Sequence, residues 1–214
     1  MLKGQFYVKS FEEDFVLKSV IDGKKAPSQS IKEIIESKVI IPNTFSFGKN
    51  KRLACSILNK NYLKTYRSQG LIFQTQNNPT EIFPFDLAIL TKNNNIIVRY
   101  YKIKNLLADY YGNNLITGHE RFSFKTIEEL LSVFPSPKKV WETVNTFRIN
   151  ACVTQLPKTK YKLVEYNEAI FDKPVQISPT GIFGYTLEVR KLAKEFHLPY
   201  YKNAKEFWIK KGLN

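Results

Sequence analysis

The chain has 214 residues, of which 33 are lysine or arginine and 19 are aspartate or glutamate, giving a formal net charge of +14 at pH 7. Apolar residues make up 43%, which excludes a disordered chain and is enough for one substantial core. The charge exceeds what solubility requires and is typical of proteins that bind a polyanion, nucleic acid first and an anionic membrane surface second. A lysine-rich genome is the alternative source of such a surplus.

Cysteine usage and the N-terminal sequence indicate the cellular compartment. The first residues hold no long apolar run, so we expect neither a signal peptide nor a membrane anchor. Cys55 and Cys152 lie far apart without CxxC spacing, and the two histidines are isolated, so no zinc site or disulfide framework is expected. We expect a cytoplasmic protein without cofactor, folded as a single domain over residues 1–214 because no linker or repeat divides the chain.

Capping residues and apolar spacing predict the elements of the first half of the chain. Ser30 followed by Glu33 forms a capping box and predicts a short helix over residues 30–38. Residues 38–58 predict two strands around a Gly-Lys-Asn turn. Three further strands are predicted at 66–76, 83–91 and 95–105. Short asparagine-rich turns join these strands, so we expect antiparallel neighbours.

The second half of the chain predicts helices, strands and helices again. Thr126 and Glu129 form a second capping box, and Ser136-Pro137 opens the next helix. The predicted helices span 125–134, 136–152, 186–197 and 203–212, and the predicted strands span 160–171 and 174–185. This order favours an α+β fold with a largely antiparallel sheet over a doubly wound parallel one.

One stretch, residues 84–105, has the order of a metal-dependent nuclease site: strand, aspartate, turn, strand, lysine. Asp86 is placed to be a metal ligand and Lys102 to assist the attacking water. The second acid is missing, because Tyr100 stands two residues before Lys102, and Glu81 is the one candidate substitute. The structural alternative for Asp86 is a satisfied polar group near the start of a strand.

Three basic segments carry tyrosines, a mixture that suits nucleic acid because cations neutralise phosphates and phenol rings stack on bases. The cations are Lys49, Lys51, Arg52, Lys60, Lys64 and Arg67 in the first segment, Arg99, Lys102 and Lys104 in the second, and Lys158, Lys160 and Lys162 in the third. Tyr62 and Tyr66 share one side if their segment is a helical turn. The alternative is a solvated loop in which both tyrosines cover the core.

His197 is predicted to end a helix beside Tyr200 and Tyr201. The C-terminus of a helix stabilises the charged imidazole, which makes His197 a candidate acid or base near neutral pH. A surface capping histidine is the structural alternative.

Three stretches of the chain, IPNTFSFGKNKRLACSILNKNYLKTYRSQGLIFQ, IFPFDLAIL with IIVRYYKIK, and LPYYKNAKEFW, resemble the PabI-type restriction DNA glycosylases. The resemblance implies a curved, half-pipe-like antiparallel sheet flanked by short helices, and a homodimer on a short palindromic site in double-stranded DNA. It also implies metal-independent excision of adenine, followed by strand breakage as an AP lyase.

The resemblance also implies roles for individual residues. Family members use a tyrosine, basic residues, and a late histidine with a nearby aspartate. Tyr66 or Tyr62 matches the tyrosine and His197 the histidine, although Tyr200 stands where an aspartate would follow. Lys64, between the two tyrosines, is the candidate amine for strand breakage.

Three functions are therefore considered. The preferred one is a restriction enzyme that acts as a DNA glycosylase and AP lyase. The first alternative is a divergent PD-(D/E)xK-like restriction endonuclease that uses a metal ion with Asp86 and Lys102. The second alternative is a non-catalytic DNA- or RNA-binding protein whose tyrosines only stack on bases.

Overall fold

The computed structural model describes residues 5–11, 19–21, 24–26, 29–42, 44–47, 50–90 and 116–213. The predicted strand at 95–105, with Arg99, Lys102 and Lys104, lies outside the described residues, and so does Lys49.

The described strands are β1 Phe6–Ser10, β2 Ser19–Ile21, β3 Lys24–Ala26, β4 Val39–Ile40, β5 Thr44–Phe47, β6 Asn50–Leu58, β7 Gly70–Gln74, β8 Glu81–Phe83, β9 Glu168–Phe171, β10 Val175–Gln176, β11 Ser178–Phe183 and β12 Tyr200–Tyr201. Seven of them form a row in the order β12-β11-β7-β1-β6-β9-β8, and β5 pairs with β6 beside this row. Every pair in the row is antiparallel except β11 with β12. The sheet is not closed into a barrel.

In the described part of the chain, five α-helices accompany the sheet: α1 Ile31–Ser37, α2 Ile127–Val133, α3 Pro137–Asn150, α4 Leu187–Glu195 and α5 Ala204–Lys210. All five were predicted, four of them from their capping residues, and Gly212, with φ of 64°, follows the last helix as expected. The predicted α+β fold with a mostly antiparallel sheet is therefore confirmed. The half-pipe curvature stays a prediction. No helix in the described part of the chain has the length and apolar character that a membrane span requires.

Both predicted capping boxes are present. The backbone N–H of Glu33 donates to Ser30 Oγ at 3.2 Å, and the N–H of Ser30 donates to Glu33 Oε2 at 2.6 Å. The N–H of Glu129 donates to Thr126 Oγ1 at 3.2 Å, and that of Thr126 to Glu129 Oε2 at 3.3 Å. These bonds satisfy backbone donors that the first helical turn leaves without partners.

We expect Ser30→Ala to lower the free energy of unfolding by about 1 kcal/mol, because the N-cap bond to Glu33 is lost. The midpoint of urea unfolding measures the change. Ser132→Ala is the matched control: its hydroxyl donates to the carbonyl of Glu129 inside α2, where alanine is the better helix former, so a change below about 0.5 kcal/mol is expected. Equal losses in both variants would contradict a capping role.

Apolar clusters cover both faces of the sheet. Tyr7 belongs to the larger cluster, with residues of α1, α2, α3 and α4, and Val8 to the smaller one, which includes Phe207 of α5. Neighbouring residues of a strand point to opposite faces, so β1 supplies both clusters. The larger cluster also contains Leu53, Phe73, Ile34, Leu130, Val144 and Val189.

The chain crosses over β1 between β6 and β7. Phe6 pairs with Leu58 at the end of β6, whereas Ser10 pairs with Gly70 at the start of β7. Residues 59–69 therefore run from one end of β1 to the other. Tyr62 within this segment belongs to the larger cluster, which places the crossover on that face of the sheet.

The expectation that the strands at 66–76 and 83–91 are antiparallel neighbours is wrong, because β7 and β8 do not pair with each other. The pairing expected between 83–91 and 95–105 lies outside the described residues. β1 lies between β6 and β7, and β8 pairs with β9. The pairing partners of β7 are β1 and β11, because long-range apolar contacts decide the strand order and short turns do not.

Two predicted strands are partly helical. In the predicted strand at 83–91, the sheet ends at Phe83 and a 3-10 helix spans Leu87–Leu90. Pro84 offers no backbone donor there, and the N–H of Asp86 donates to the carbonyl of Leu163 at 2.9 Å. In the predicted strand at 160–171, a 3-10 helix spans Lys158–Val164 and the strand begins only at Glu168.

Candidate nucleic-acid interface around Tyr66

The crossover at 59–69 begins with a tight turn. The N–H of Tyr62 donates to the carbonyl of Asn59 at 3.0 Å, and the N–H of Asn61 donates to Asn59 Oδ1 at 2.9 Å. The side chain of Asn59 thus binds a backbone donor that a helix would use otherwise. The segment is therefore not the helical turn that would place Tyr62 and Tyr66 on one side.

Tyr62 is a core residue. Its side chain is 1% exposed, and its hydroxyl donates to the carbonyl of Phe134 at 3.1 Å. Burial raises the pKa of Tyr62 well above the ordinary tyrosine value. Since no substrate reaches a ring buried in this way, Tyr62 does not fit its predicted catalytic role. It covers the core, as the alternative interpretation of this segment has it.

Tyr66 lies at the surface, 53% exposed. Its ring packs edge-on against Tyr166 with 5.9 Å between the ring centroids. The guanidinium carbon of Arg67 lies 4.5 Å from the centroid of the same ring. An exposed ring held from one side and flanked by a cation is suited to stack on a nucleotide base and to bind its phosphate.

Behind Tyr66, a second tyrosine connects the surface to a carboxylate. Tyr166 is 5% exposed, and its hydroxyl donates to Asp86 Oδ2 at 2.7 Å. Burial above all, and then the charge of Asp86, raise the pKa of Tyr166 far above the ordinary tyrosine value. Tyr166 therefore stays a protonated donor and fixes one oxygen of the half-buried Asp86.

Lys64 extends from the crossover toward the segment that precedes β9. Its side chain is 71% exposed, and its Nζ lies 4.0 Å from Glu165 Oε1. A pair this exposed contributes little to stability, so the lysine is able to exchange Glu165 for a phosphate. Lys60 and Arg67 are also exposed. The structure thus brings Lys64 and Arg67 together with Tyr66.

The third basic segment leads into the same region. Lys158 and Lys162 are exposed and Lys160 is half-buried on the 3-10 helix that ends two residues before Tyr166. Tyr161 on this helix packs edge-on against Trp141, with centroids 5.4 Å apart. Tyr161 therefore covers the core, while the lysines remain available to an anionic ligand.

The first basic segment contributes less to the interface than expected. Arg52 is half-buried, and its Nη1 lies 3.2 Å from Glu81 Oε2. Lys51 lies in β6, and the structure describes its backbone alone. Glu81 is the first residue of β8, which β9 separates from β6, so this ion pair gives Arg52 a structural bond across the sheet.

His197 lies on another part of the sheet. It follows α4 with φ of 52°, is exposed, and its N–H donates to the carbonyl of Lys194 at 3.3 Å. It precedes β12, which is five strand positions from β9 in the row, roughly 24 Å along the sheet at the usual strand spacing. Within one chain, the structure therefore does not bring His197 to Tyr66.

The carboxylates of the alternative metal site have protein partners. Asp86 accepts from Tyr166 and Glu81 pairs with Arg52. In the described part of the chain, no group of three or more histidine, cysteine, aspartate or glutamate side chains is arranged to hold a metal ion. The third member of that proposal, Lys102, lies outside the described residues.

Sequence reasoning did not single out Lys9. Tyr7 in β1 and Phe11 just after it belong to the larger cluster, and Lys9 alternates between them, which makes Lys9 a cation on an otherwise apolar face. Its Nζ donates to the carbonyl of Ala54 at 2.9 Å. The signal was present in the sequence FYVKSF, where the lysine occupies an inward position of a period-2 pattern.

No family model matches the chain, and no curated protein or solved structure matches it either.

Proposed function

We propose that the chain binds double-stranded DNA over the interface around Tyr66, excises an adenine and then breaks the strand at the abasic sugar. The observation that carries this proposal is the exposed ring of Tyr66, which packs edge-on against Tyr166 and is flanked by Arg67, while the hydroxyl of Tyr166 donates to Asp86. In this proposal, protein side chains catalyse both steps without a metal ion. Two copies of the chain are expected on a palindromic site, because such a site has two-fold symmetry.

Binding depends on charge and stacking together. Lys64, Arg67 and the lysines of the 3-10 helix at 158–164 neutralise phosphates on either side of the target nucleotide. Tyr66 receives the target base after it has rotated out of the helix, as enzymes that act on a base require. Stacking on a tyrosine contributes about 1–3 kcal/mol.

Excision breaks the bond between C1′ of the sugar and N9 of adenine. The bonding electron pair leaves with adenine, and the sugar passes through an oxocarbenium-like state that nearby negative charge stabilises. Water then adds its hydroxyl group to C1′, and its remaining proton ends on the adenine. The proposed carboxylate for stabilising the cationic sugar is Asp86, which accepts from the hydroxyl of Tyr166.

Strand breakage needs an amine of the protein. The neutral amine attacks the C1′ aldehyde of the open sugar, water leaves, and a protonated imine forms. A base removes a proton from C2′, and the C3′–O bond breaks with its electron pair on the phosphate oxygen. Hydrolysis of the imine then frees the amine. Lys64 is the candidate from the sequence, because it is close to Tyr66 along the chain.

The test is incubation of plasmid DNA with the protein in the presence of a chelator, followed by heating in alkali, gel electrophoresis and chromatography of released bases. Free adenine and alkali-labile breaks are expected. Cleavage only after Mg²⁺ is added would instead indicate the metal-dependent nuclease. DNA that is shifted on the gel but intact under both conditions would indicate a protein that only binds.

The salt dependence of DNA affinity tests the interface separately from the chemistry. We expect Lys64→Ala and Arg67→Ala each to reduce the slope of log K against log salt by about 1, because each removes one phosphate contact. Fluorescence anisotropy with a labelled duplex measures the slope. Lys173→Ala, an exposed lysine in the turn between β9 and β10, is the matched control. Equal effects of all three variants would contradict a localised interface.

A further inference from the structure

We propose that the outward face of α4 binds phosphates of the same DNA duplex that contacts the interface around Tyr66. The inference rests on the proposed function and extends its binding surface, because it adds phosphate contacts to one side of the target nucleotide. The face consists of four exposed residues at helical spacing: Leu187, Arg190, Lys191 and Lys194.

The inward face of α4 fixes the helix to the sheet. Val189 and Ala193 are buried and belong to the larger cluster, which also contains Tyr62 of the crossover. The helix and the crossover therefore cover the same face of the sheet. Because residues on opposite faces of a helix point in opposite directions, the cations of α4 face solvent on the side of the sheet where the crossover lies.

The N-terminal end of α4 lies beside the end of the crossover at 59–69. A Cβ atom at Gly184 would lie 2.8 Å from Gln69 Cβ and 2.9 Å from Val189 Cγ2. Arg67 precedes Gln69 by two residues, so the Cα atoms of these two residues are within about 7 Å of each other. The interface and the start of α4 are therefore neighbours.

The charges on this face favour a polyanion. Glu195, one of the two acids of α4, pairs with Lys32 at 2.6 Å, which leaves Glu188 among three cations. Arg190 is held in place, because its Nε donates to the Tyr200 hydroxyl at 3.4 Å and its guanidinium carbon lies 5.4 Å from the centroid of that ring. The guanidinium has further N–H donors that suit the oxygens of a phosphate.

The combined surface has the extent of a short stretch of duplex. α4 follows β11, and the 3-10 helix at 158–164 precedes β9. These two strands are four positions apart in the row, roughly 19 Å at the usual strand spacing. At about 3.4 Å for each base pair, this distance corresponds to about six base pairs. One duplex can therefore contact the lysines of the 3-10 helix, the crossover and α4 together.

The test is the salt dependence of affinity for a labelled duplex several helical turns long, measured by fluorescence anisotropy. The triple variant Arg190→Ala/Lys191→Ala/Lys194→Ala is expected to reduce the slope of log K against log salt by about 3, because three phosphate contacts are lost. Lys191→Ala/Lys194→Ala keeps the contact between Arg190 and Tyr200 and should reduce the slope by about 2. This second variant serves if the triple variant does not fold.

The matched control removes the same charge from another part of the molecule, with alanine at Lys173, Lys205 and Lys211. All three lysines are exposed. The first lies in the turn after β9, and the other two lie on and just after α5, which packs on the opposite face of the sheet through Phe207. A reduction of the slope by less than about 1 is expected in this control.

An unchanged slope in the α4 variants, or equal reductions in the α4 and control variants, would overturn the assignment. So would a loss of binding to anionic lipid vesicles in the α4 variants while their DNA slope stays at the wild-type value. Release of adenine from plasmid DNA is measured in parallel. If adenine is released but the slope does not change, the proposed function survives and the role of α4 does not. If the slope falls but no adenine is released, α4 binds DNA and base excision fails.

Discussion

Replacing Tyr66 with alanine is expected to slow the release of adenine by about 100-fold or more. The variant loses the ring that stacks on the rotated base, worth about 1–3 kcal/mol, and a hydroxyl at the reacting sugar, where acid–base groups contribute about 100-fold or more. Single-turnover release of adenine, measured by chromatography with enzyme in excess, gives the rate. Because Tyr66 is 53% exposed, the variant should keep its unfolding midpoint to within about 0.5 kcal/mol.

Tyr66→Phe separates the two contributions. It keeps the ring and removes the hydroxyl, so DNA affinity should stay near the wild-type value while the release of adenine falls. Tyr185→Phe is the matched control, since Tyr185 is an exposed tyrosine at 63% and lies between β11 and α4. A wild-type rate in Tyr66→Phe, with a large loss in Tyr66→Ala, would assign Tyr66 to binding alone.

Helix positions could be predicted because their signals are local. Ser30 and Glu33 lie three residues apart, and the bonds between them form wherever that helix begins. Strand order could not be predicted, since the insertion of β1 between β6 and β7 depends on contacts between residues far apart in sequence. The path of the crossover, and with it the location of Tyr66, follows from that insertion.

The candidate site was predicted only in part, for the same physical reason. Tyr62 and Tyr66 have the same chemistry and similar neighbours in sequence, yet the first is 1% exposed and the second 53%. The turn at Asn59 decides this difference through backbone bonds that composition does not show. Tyr166 and Asp86 are 80 residues apart, so no spacing rule connects them, although Asp86 was named for another role.

Alkaline pH is expected to unfold the protein cooperatively between about pH 10 and pH 12. Burial raises the pKa values of Tyr7, Tyr62 and Tyr166, that of Tyr7 to about 12, from an ordinary value of 10.0. A raised pKa in the folded state gives stability that is complete below pH 10.0 and is lost as the pH rises. Three such groups give a loss of about 4 kcal/mol per pH unit, against a total stability of about 5–15 kcal/mol.

Cys55 and Lys9 also affect how the free energy of unfolding depends on pH, and they do so in opposite directions. Cys55, with a pKa raised from 9.0 to about 12, adds a loss of the same sign that begins one pH unit earlier. Lys9 has a lowered pKa, so its contribution increases with pH up to the ordinary lysine value of 10.5 and is constant above it. Lys9 therefore opposes the loss only at the beginning of the transition.

Urea unfolding at a series of pH values from about 9 to 11 measures the slope, and the absorbance of tyrosinate shows when the rings ionise. Tyr7→Phe should reduce the tyrosine part of the slope by about one third, because it removes one of the three groups. Tyr185→Phe, which changes an exposed ring, is the matched control and should leave the slope unchanged. A free energy of unfolding that stays constant up to pH 11 would mean that water reaches the three rings in the folded chain. Tyr166 would then not be the desolvated donor that orients Asp86 behind Tyr66.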